Sequence, residues 1–347
     1  MQTRTMMKRV LLLAALAALV FPALSCYFNT IPIHPSPAGF RVVEDSPFYL
    51  NGRQGIVGMA TDGSTVVAVS REGTAAFSED HGVTWRVADP LRGAFDVVHF
   101  RDVAWGGGYF FAGGDLGRAA WSRDGRVWYS GVVGPMNPRD ILAVSVGRMR
   151  GQLVFMAGGT IGRMAYALGS PEGPWRQIMF TPFGDSEQFG ESVHSISAGR
   201  VNGSDVFVAV GDTGNVGIMK GFSGNLYGPS SVPSRQVLRG IAFGNERFIA
   251  VGDAATMMVS MDPKNYLWIP VRETGFAMRP FIDIAFYPGL NLFVLVASGS
   301  VVAFSENGYS WSAASFVSRF ERDISVVVGT DRRIVLGGSD GTIAFSN

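Results

Sequence analysis

One cysteine, Cys26, stands in a chain of 347 residues, so no disulfide forms within it. Histidine is nearly as scarce: His34, His81, His99 and His194 are scattered without metal-ligand spacing, and neither a zinc site nor any other metal is expected. Charge is thin as well, at 16% of residues. Setting Arg4, Lys8 and Arg9 apart with the leader argued below leaves 26 basic residues against 28 acidic ones, a balance that argues against nucleic acid as a partner. No Gly-x-Ser-x-Gly elbow or other nucleophile motif appears. Glycine-rich stretches such as Trp105-Gly106-Gly107-Gly108 are followed by no helix that would offer its N-terminus to a phosphate, so no cofactor is expected. A helical period of 3.6 is absent beyond the first 38 residues. What is plentiful is apolar and turn-forming material, with 47% hydrophobic residues, 12% aromatic residues and 45 glycines. That is enough for a sizeable core.

The N-terminus reads as an export leader. Arg4, Lys8 and Arg9 precede an apolar run from Val10 to Val20, which continues through Pro22 to Ala23-Leu24-Ser25-Cys26. The run is short for a bilayer span of about 20 residues, and Pro22 interrupts it. An uncleaved anchor helix is the competing reading. Ala23-Leu24-Ser25-Cys26 resembles the lipobox of bacterial lipoproteins, although the usual leucine three residues before the cysteine is Ala23 here. The resemblance implies that residues 1–25 are a signal peptide and that Cys26 is the lipidated first residue of the mature chain. Ordinary cleavage leaving a free thiol is the alternative. Residues 26–38, with Pro32, Pro35 and Pro37, suit an extended tether. Tyr27 in second place implies outer-membrane delivery, on a periplasmic or surface side that the sequence leaves open.

Repetition dominates the remainder. VVAVS from Val66, FFAGG from Phe110, FMAGG from Phe155, FVAVG from Phe207, FIAVG from Phe248, FVLVA from Phe293 and IVLGG from Ile334 are spaced by 44, 45, 52, 41, 45 and 41 residues. Those periods fit a four-stranded propeller blade. A turn residue follows each run, and seven positions later come Ser78, Ser122, Ala167, Met219, Ser260, Ser305 and Ser346. The runs are too short for helices and rich in β-branched and aromatic residues. Met257, Met258 and Met261 lie within repeating strands and read as core filling.

At the seventh position a turn begins. Ser78-x-Asp80-x-Gly82-x-Thr84-Trp85 has shorter relatives in Ser122-x-Asp124-Gly125 to Trp128 and Ser305-x-Asn307-Gly308 to Trp311. The Ser and Asp or Asn side chains suit hydrogen bonds to the turn backbone, Gly supplies a positive φ, and Trp fills the space between sheets. These turns resemble the Asp-box of BNR-type propellers. Repeat seven stops at Asn347 in its third strand, and Phe40 to Pro47 resembles the fourth strand of repeat one from Trp85. The expected fold is therefore all-β: residues 39–347 form one seven-bladed β-propeller of four-stranded blades, the last closed by the N-terminal strand.

Function is less legible. Arg101-Asp102, Arg139-Asp140 and Arg322-Asp323 read as one column at the channel mouth, shared with Arg239-Gly240, Ile282-Asp283, His194-Ser195 and Gln54-Gly55. An inter-blade ion-pair ring and a site for an anion or carboxylate peptide are the two readings of that column. Arg118 and Arg163, each three residues past a turn, extend a basic patch or are merely solvated. Glu187 and Glu191 sit in the insert from Gly184 to Ser192, which is either a contact loop or plain surface.

The repeats resemble sialidases, sortilin-type receptor propellers, and the photosystem II assembly and stability factors, the last being nearest in outline. That resemblance implies a non-catalytic scaffold for a protein or glycan partner in the bacterial cell envelope, joined to the membrane through its lipid. A sialidase-like glycoside hydrolase is one alternative, requiring three arginines on a carboxylate, a Tyr-Glu pair and an Asp acid. A surface adhesin or envelope-complex subunit is the other.

Overall fold

The computed structural model describes residues 39–50, 52–178, 180–183, 191–219, 221–222, 224–227, 234–263, 267–272, 275–276, 278–313 and 323–347. The expected leader, the tether with Cys26, Glu187 and Arg322 lie outside the described residues.

The described strands form seven sheets, each with four antiparallel strands running outward from an innermost one. Blade 1 is Ile56–Thr61, Val66–Ser70, Ala75–Ser78 and Arg86–Val87. The innermost strands of blades 2 to 7 are Phe100–Gly106, Ile141–Met149, Val193–Val201, Leu238–Gly244, Phe281–Tyr287 and Ile324–Gly329. Each innermost strand packs on the next, and that of blade 7 packs on that of blade 1, which closes a ring.

The seven apolar runs are the second strands, buried on both faces because each sheet is covered by a neighbour on either side. Their side chains therefore fill seven clusters, one at each blade-to-blade interface. Met257 and Met258 are core residues as expected, but Met261 is exposed, because it stands past the strand's packed part. Blade 7 is completed by the N-terminal strand: Phe40, Arg41 and Val42 pair with Ser346, Phe345 and Ala344.

The turns after the third strands of blades 1, 2 and 6 share one construction. Ser78 Oγ donates to Asp80 and accepts from Gly82 N; Asp80 Oδ1 accepts from Val83 N and Thr84 N; Trp85 Nε1 donates to Gly82 O. Ser122, Asp124, Gly125 and Trp128 repeat it, as do Ser305, Asn307, Gly308 and Trp311. Glycine is required twice over at these turns. Gly82, Gly125 and Gly308 have φ of 90°, 75° and 77°, and a Cβ there would stand 2.5, 2.7 and 2.4 Å from Val335, Val67 and Ile249. Those three residues hold the same place, second in the apolar run of the preceding blade's second strand.

Blades 2 and 4 carry a fifth strand that sequence reasoning did not foresee. The linker from the preceding blade lies parallel to the outermost strand: Arg92–Gly93 along Trp128–Val132, and Phe180–Phe183 along Gly224–Tyr227.

Candidate functional site

Every innermost strand carries a β-bulge near its start, and all seven bulges fall at the same place. An extra residue there shifts which side chains face the axis. The bulges correct the column read from sequence. The pairs that share it are Val57-Gly58, Arg101-Asp102, Leu142-Ala143, His194-Ser195, Arg239-Gly240, Ile282-Asp283 and Ser325-Val326. Arg139-Asp140, Asp323 and Gln54-Gly55 sit three residues earlier than the pairs in the column, and Arg322 lies outside the described residues. The shared Arg-Asp dipeptide hides this slip.

The column lines a channel of about 350 Å³ formed by all seven innermost strands. Its acceptors bind backbone N–H groups on the inner strand edges. Asp102 accepts from Val103 N and from Val144 N of blade 3, both at 2.8 Å; Asp283 accepts from Ile284 N and from Val327 N of blade 7, also at 2.8 Å. Ser195 Oγ accepts from Ile241 N of blade 5 in the same way. Blades 2, 4 and 6 thus each supply a side chain that fastens the next blade at the lumen.

Burial pushes the Asp102 carboxyl up to about 7 and that of Asp283 up to about 6, with the N–H donors pulling both back. The Asp283 charge across the lumen adds to the rise at Asp102. Both carboxylates touch only the narrow lumen, enclosed by protein on every other side.

The arginines do not form the expected inter-blade ring. Each basic side chain of the column pairs chiefly with the turn aspartate of its own blade. Arg101 Nε reaches Asp115 at 2.5 Å, His194 Nε2 reaches Asp212 at 2.6 Å, and Arg239 holds Asp253 with two bonds of 2.6 and 3.0 Å. One pair crosses between blades, Arg101 to Asp140 at 3.3 Å. Asp140 and Asp323 serve another purpose: Asp140 accepts from Leu116 N and Asp323 from Gly299 N, each clasping the turn of the preceding blade.

Three arginines on the same face carry no ion pair among the described residues. Arg118 lies 4.4 Å over the Phe95 ring, Arg163 donates to Pro135 O at 3.1 Å, and Arg139 is exposed. Arg118 and Arg163 each stand two residues past an aliphatic tip. Leu116 and Ile161 stand at matching turns of blades 2 and 3, 49% and 47% exposed, with φ of 57° and 53°. A left-handed conformation costs a β-branched residue such as Ile161 strain. The patch is one piece of structure: Leu116 is tied to Asp140, the 160–163 turn to Asp140 O, and Arg163 to the 134–136 turn. Glu191 is exposed at the start of blade 4, and no metal-holding cluster occurs among the described residues.

No family model matches the chain, and no curated relative does. Solved propellers are similar to it in fold. "YCF48 bound to D1 peptide" shares 14% identity over 90% of this chain and 95% of its own, with a TM-score of 0.66. YCF48 from Cyanidioschyzon merolae shares 15% over 89% and 99%, with a TM-score of 0.63. The WD40 β-propeller domain of Doa1 shares 13% over 89% and 97%, with a TM-score of 0.64.

Proposed function

We propose that the chain is a non-catalytic scaffold that holds a protein partner at the face of blades 2 and 3, through a segment carrying a carboxylate and an aliphatic side chain. One observation carries this reading: Leu116 and Ile161 are held in water on left-handed turns beside Arg118, Arg139 and Arg163, which no carboxylate claims among the described residues. Guanidinium forks suit carboxylates, and exposed aliphatic tips gain by being covered. A solved propeller of similar fold is described as bound to a peptide, which agrees with this use of the architecture.

Catalysis finds less support. The carboxylates lining the described channel, Asp102 and Asp283, are occupied by backbone donors, and the lining supplies no Tyr-Glu pair for a glycosidase.

A fluorescein-labelled Gly-Ser-Gly-Ala-Leu-Leu peptide with a free C-terminal carboxylate tests the site by anisotropy. Arg139→Gln, whose side chain makes no bond among the described residues, weakens binding about tenfold, the value of one lost charge-assisted contact, and leaves the melting temperature unchanged, while the double variant with Arg163→Gln binds weaker still. The C-terminal amide of the peptide binds correspondingly worse. Equal affinity for the double variant would overturn the reading.

The address rests on the leader: a bacterial envelope protein, lipid-anchored at Cys26 on the outer membrane. Two or three acyl chains, each contributing about 0.8 kcal/mol per buried methylene, hold such a protein at a bilayer. Mass spectrometry of the envelope fraction checks it, with the diacylglyceryl adduct expected on Cys26 and an unmodified thiol counting against it.

A further inference from the structure

The linkers between blades do different things at equivalent places, and the difference exposes a surface on the outer rim. In blade 2 the incoming linker becomes the fifth strand. Ala94 N donates to the outward carbonyl of Ser130, and Ser130 Oγ accepts from Phe95 N. Under that linker Trp128 is completely buried.

Blade 1 has the same outer framework without the cover. Its Trp85 and Val87 correspond to Trp128 and Ser130, two residues apart in each case. Ala88 N donates to Ala75 O, so Val87, which faces Ala76 in the alternate register, turns its N–H and C=O outward. Among the described residues neither outward group has a partner, Val87 is 46% exposed, and Trp85 is half-buried. The incoming linker, residues 43–55, stands off from this edge. Between them lies a cleft of about 320 Å³, lined by Trp85, Val87, Pro47, Tyr49 and Leu50 along its apolar side. Glu44 and Asp45 line it too, exposed and without ion pairs among the described residues, while the nearby Arg86 is bound to Glu79.

We propose that this edge of blade 1 is a strand-addition site for an extended segment of a partner protein, basic and apolar in alternation. Such a segment adds the fifth strand that blades 2 and 4 obtain from their own linkers. Its backbone bonds the open Val87 groups, its apolar side chains enter the cleft over Trp85, and its lysines or arginines meet Glu44 and Asp45. The site is distinct from the face of blades 2 and 3 and does not depend on it. Its preferred charge is also the opposite one.

The test titrates the full chain with Ac-Lys-Val-Lys-Val-Lys-Val-NH2 by calorimetry and maps it by amide hydrogen exchange. Binding is expected with new protection at Val87 and its neighbours. Ac-Glu-Val-Glu-Val-Glu-Val-NH2 binds at least tenfold more weakly, and Glu44→Gln with Asp45→Asn removes that preference while weakening the lysine peptide about tenfold. Val87→Pro deletes an outward N–H that bonds nothing in the fold, so the ring persists and binding is lost. Several results would overturn the proposal: no binding, equal affinity for the acidic peptide, indifference to the Glu44 and Asp45 changes, or protection at 116–118 and 139–163 instead. Protection of Val87 before any peptide is added would also overturn it, by assigning the edge to this chain's own residues.

Discussion

Asp102 and Asp283 each answer two backbone N–H groups, one in their own blade and one in the next. The donors favour the carboxylate, yet burial prevails and lifts both groups, to about 7 and about 6. Between pH 4 and 7 the folded chain therefore keeps protons that the unfolded chain has released, and stability falls as pH rises through that window. Asp80 and Asp124 act on the other side of it. Burial raises them, but their hydrogen bonds outweigh it and set both below the usual value, so their support is lost only as pH drops under about 4. The melting temperature is thus expected to fall by about 5 °C or more from pH 4.5 to pH 7.5. Asp102→Asn with Asp283→Asn flattens this slope, and scanning calorimetry across the range checks it. A slope unchanged in the double variant would mean that neither carboxyl retains a proton in the fold.

At the scale of strands, legibility depended on length and repetition. The second strands announced themselves because covering both faces of a sheet demands an unbroken apolar run, seven times over. The Ser-x-Asp turns were equally legible, since their glycine, serine and tryptophan each satisfy a separate geometric need. The fifth strands left no trace. Arg92–Gly93 is two residues long, without a period, and is a strand only because Ser130 holds it, its hydroxyl donating to Arg92 O and its carbonyl accepting from Ala94 N. The channel column was misread for a related reason. A bulge changes which residue faces the axis without changing composition, so Arg139-Asp140 looked equivalent to Arg101-Asp102 although their aspartates do different work. Leu116 and Ile161 carried no signal at all, because a left-handed aliphatic residue is indistinguishable in sequence from any other.

For the molecule as a whole, one junction differs from the other six. Adjacent blades elsewhere are joined by continuous chain, whereas blade 7 is completed by Phe40–Val42 pairing with Ile343–Ser346. Behind this strand Val43 and Phe48 enter the cluster between blades 7 and 1, and Ser46 Oγ donates to Gly341 O at 2.6 Å. Deleting Gly39 to Pro47 is expected to lower the melting temperature sharply and to bare the outer edge of Ile343–Ser346, which invites self-association. Calorimetry with sedimentation reads both; a truncated chain that melts with the parent and stays monomeric would contradict closure by this strand.

That same zipper sets the order of assembly. Phe40 is made about 300 residues before its partner Ser346, so at ordinary ribosomal speeds the first strand waits roughly 15–60 s for its mate. Six wedges are able to stack during that interval, but the circle remains a horseshoe until Ile343–Ser346 emerge, and its completion is a loop closure spanning all seven blades. The latch is also the point where force applied at Gly39 first enters the ring, so a tug there unfastens the circle before it reaches any other wedge.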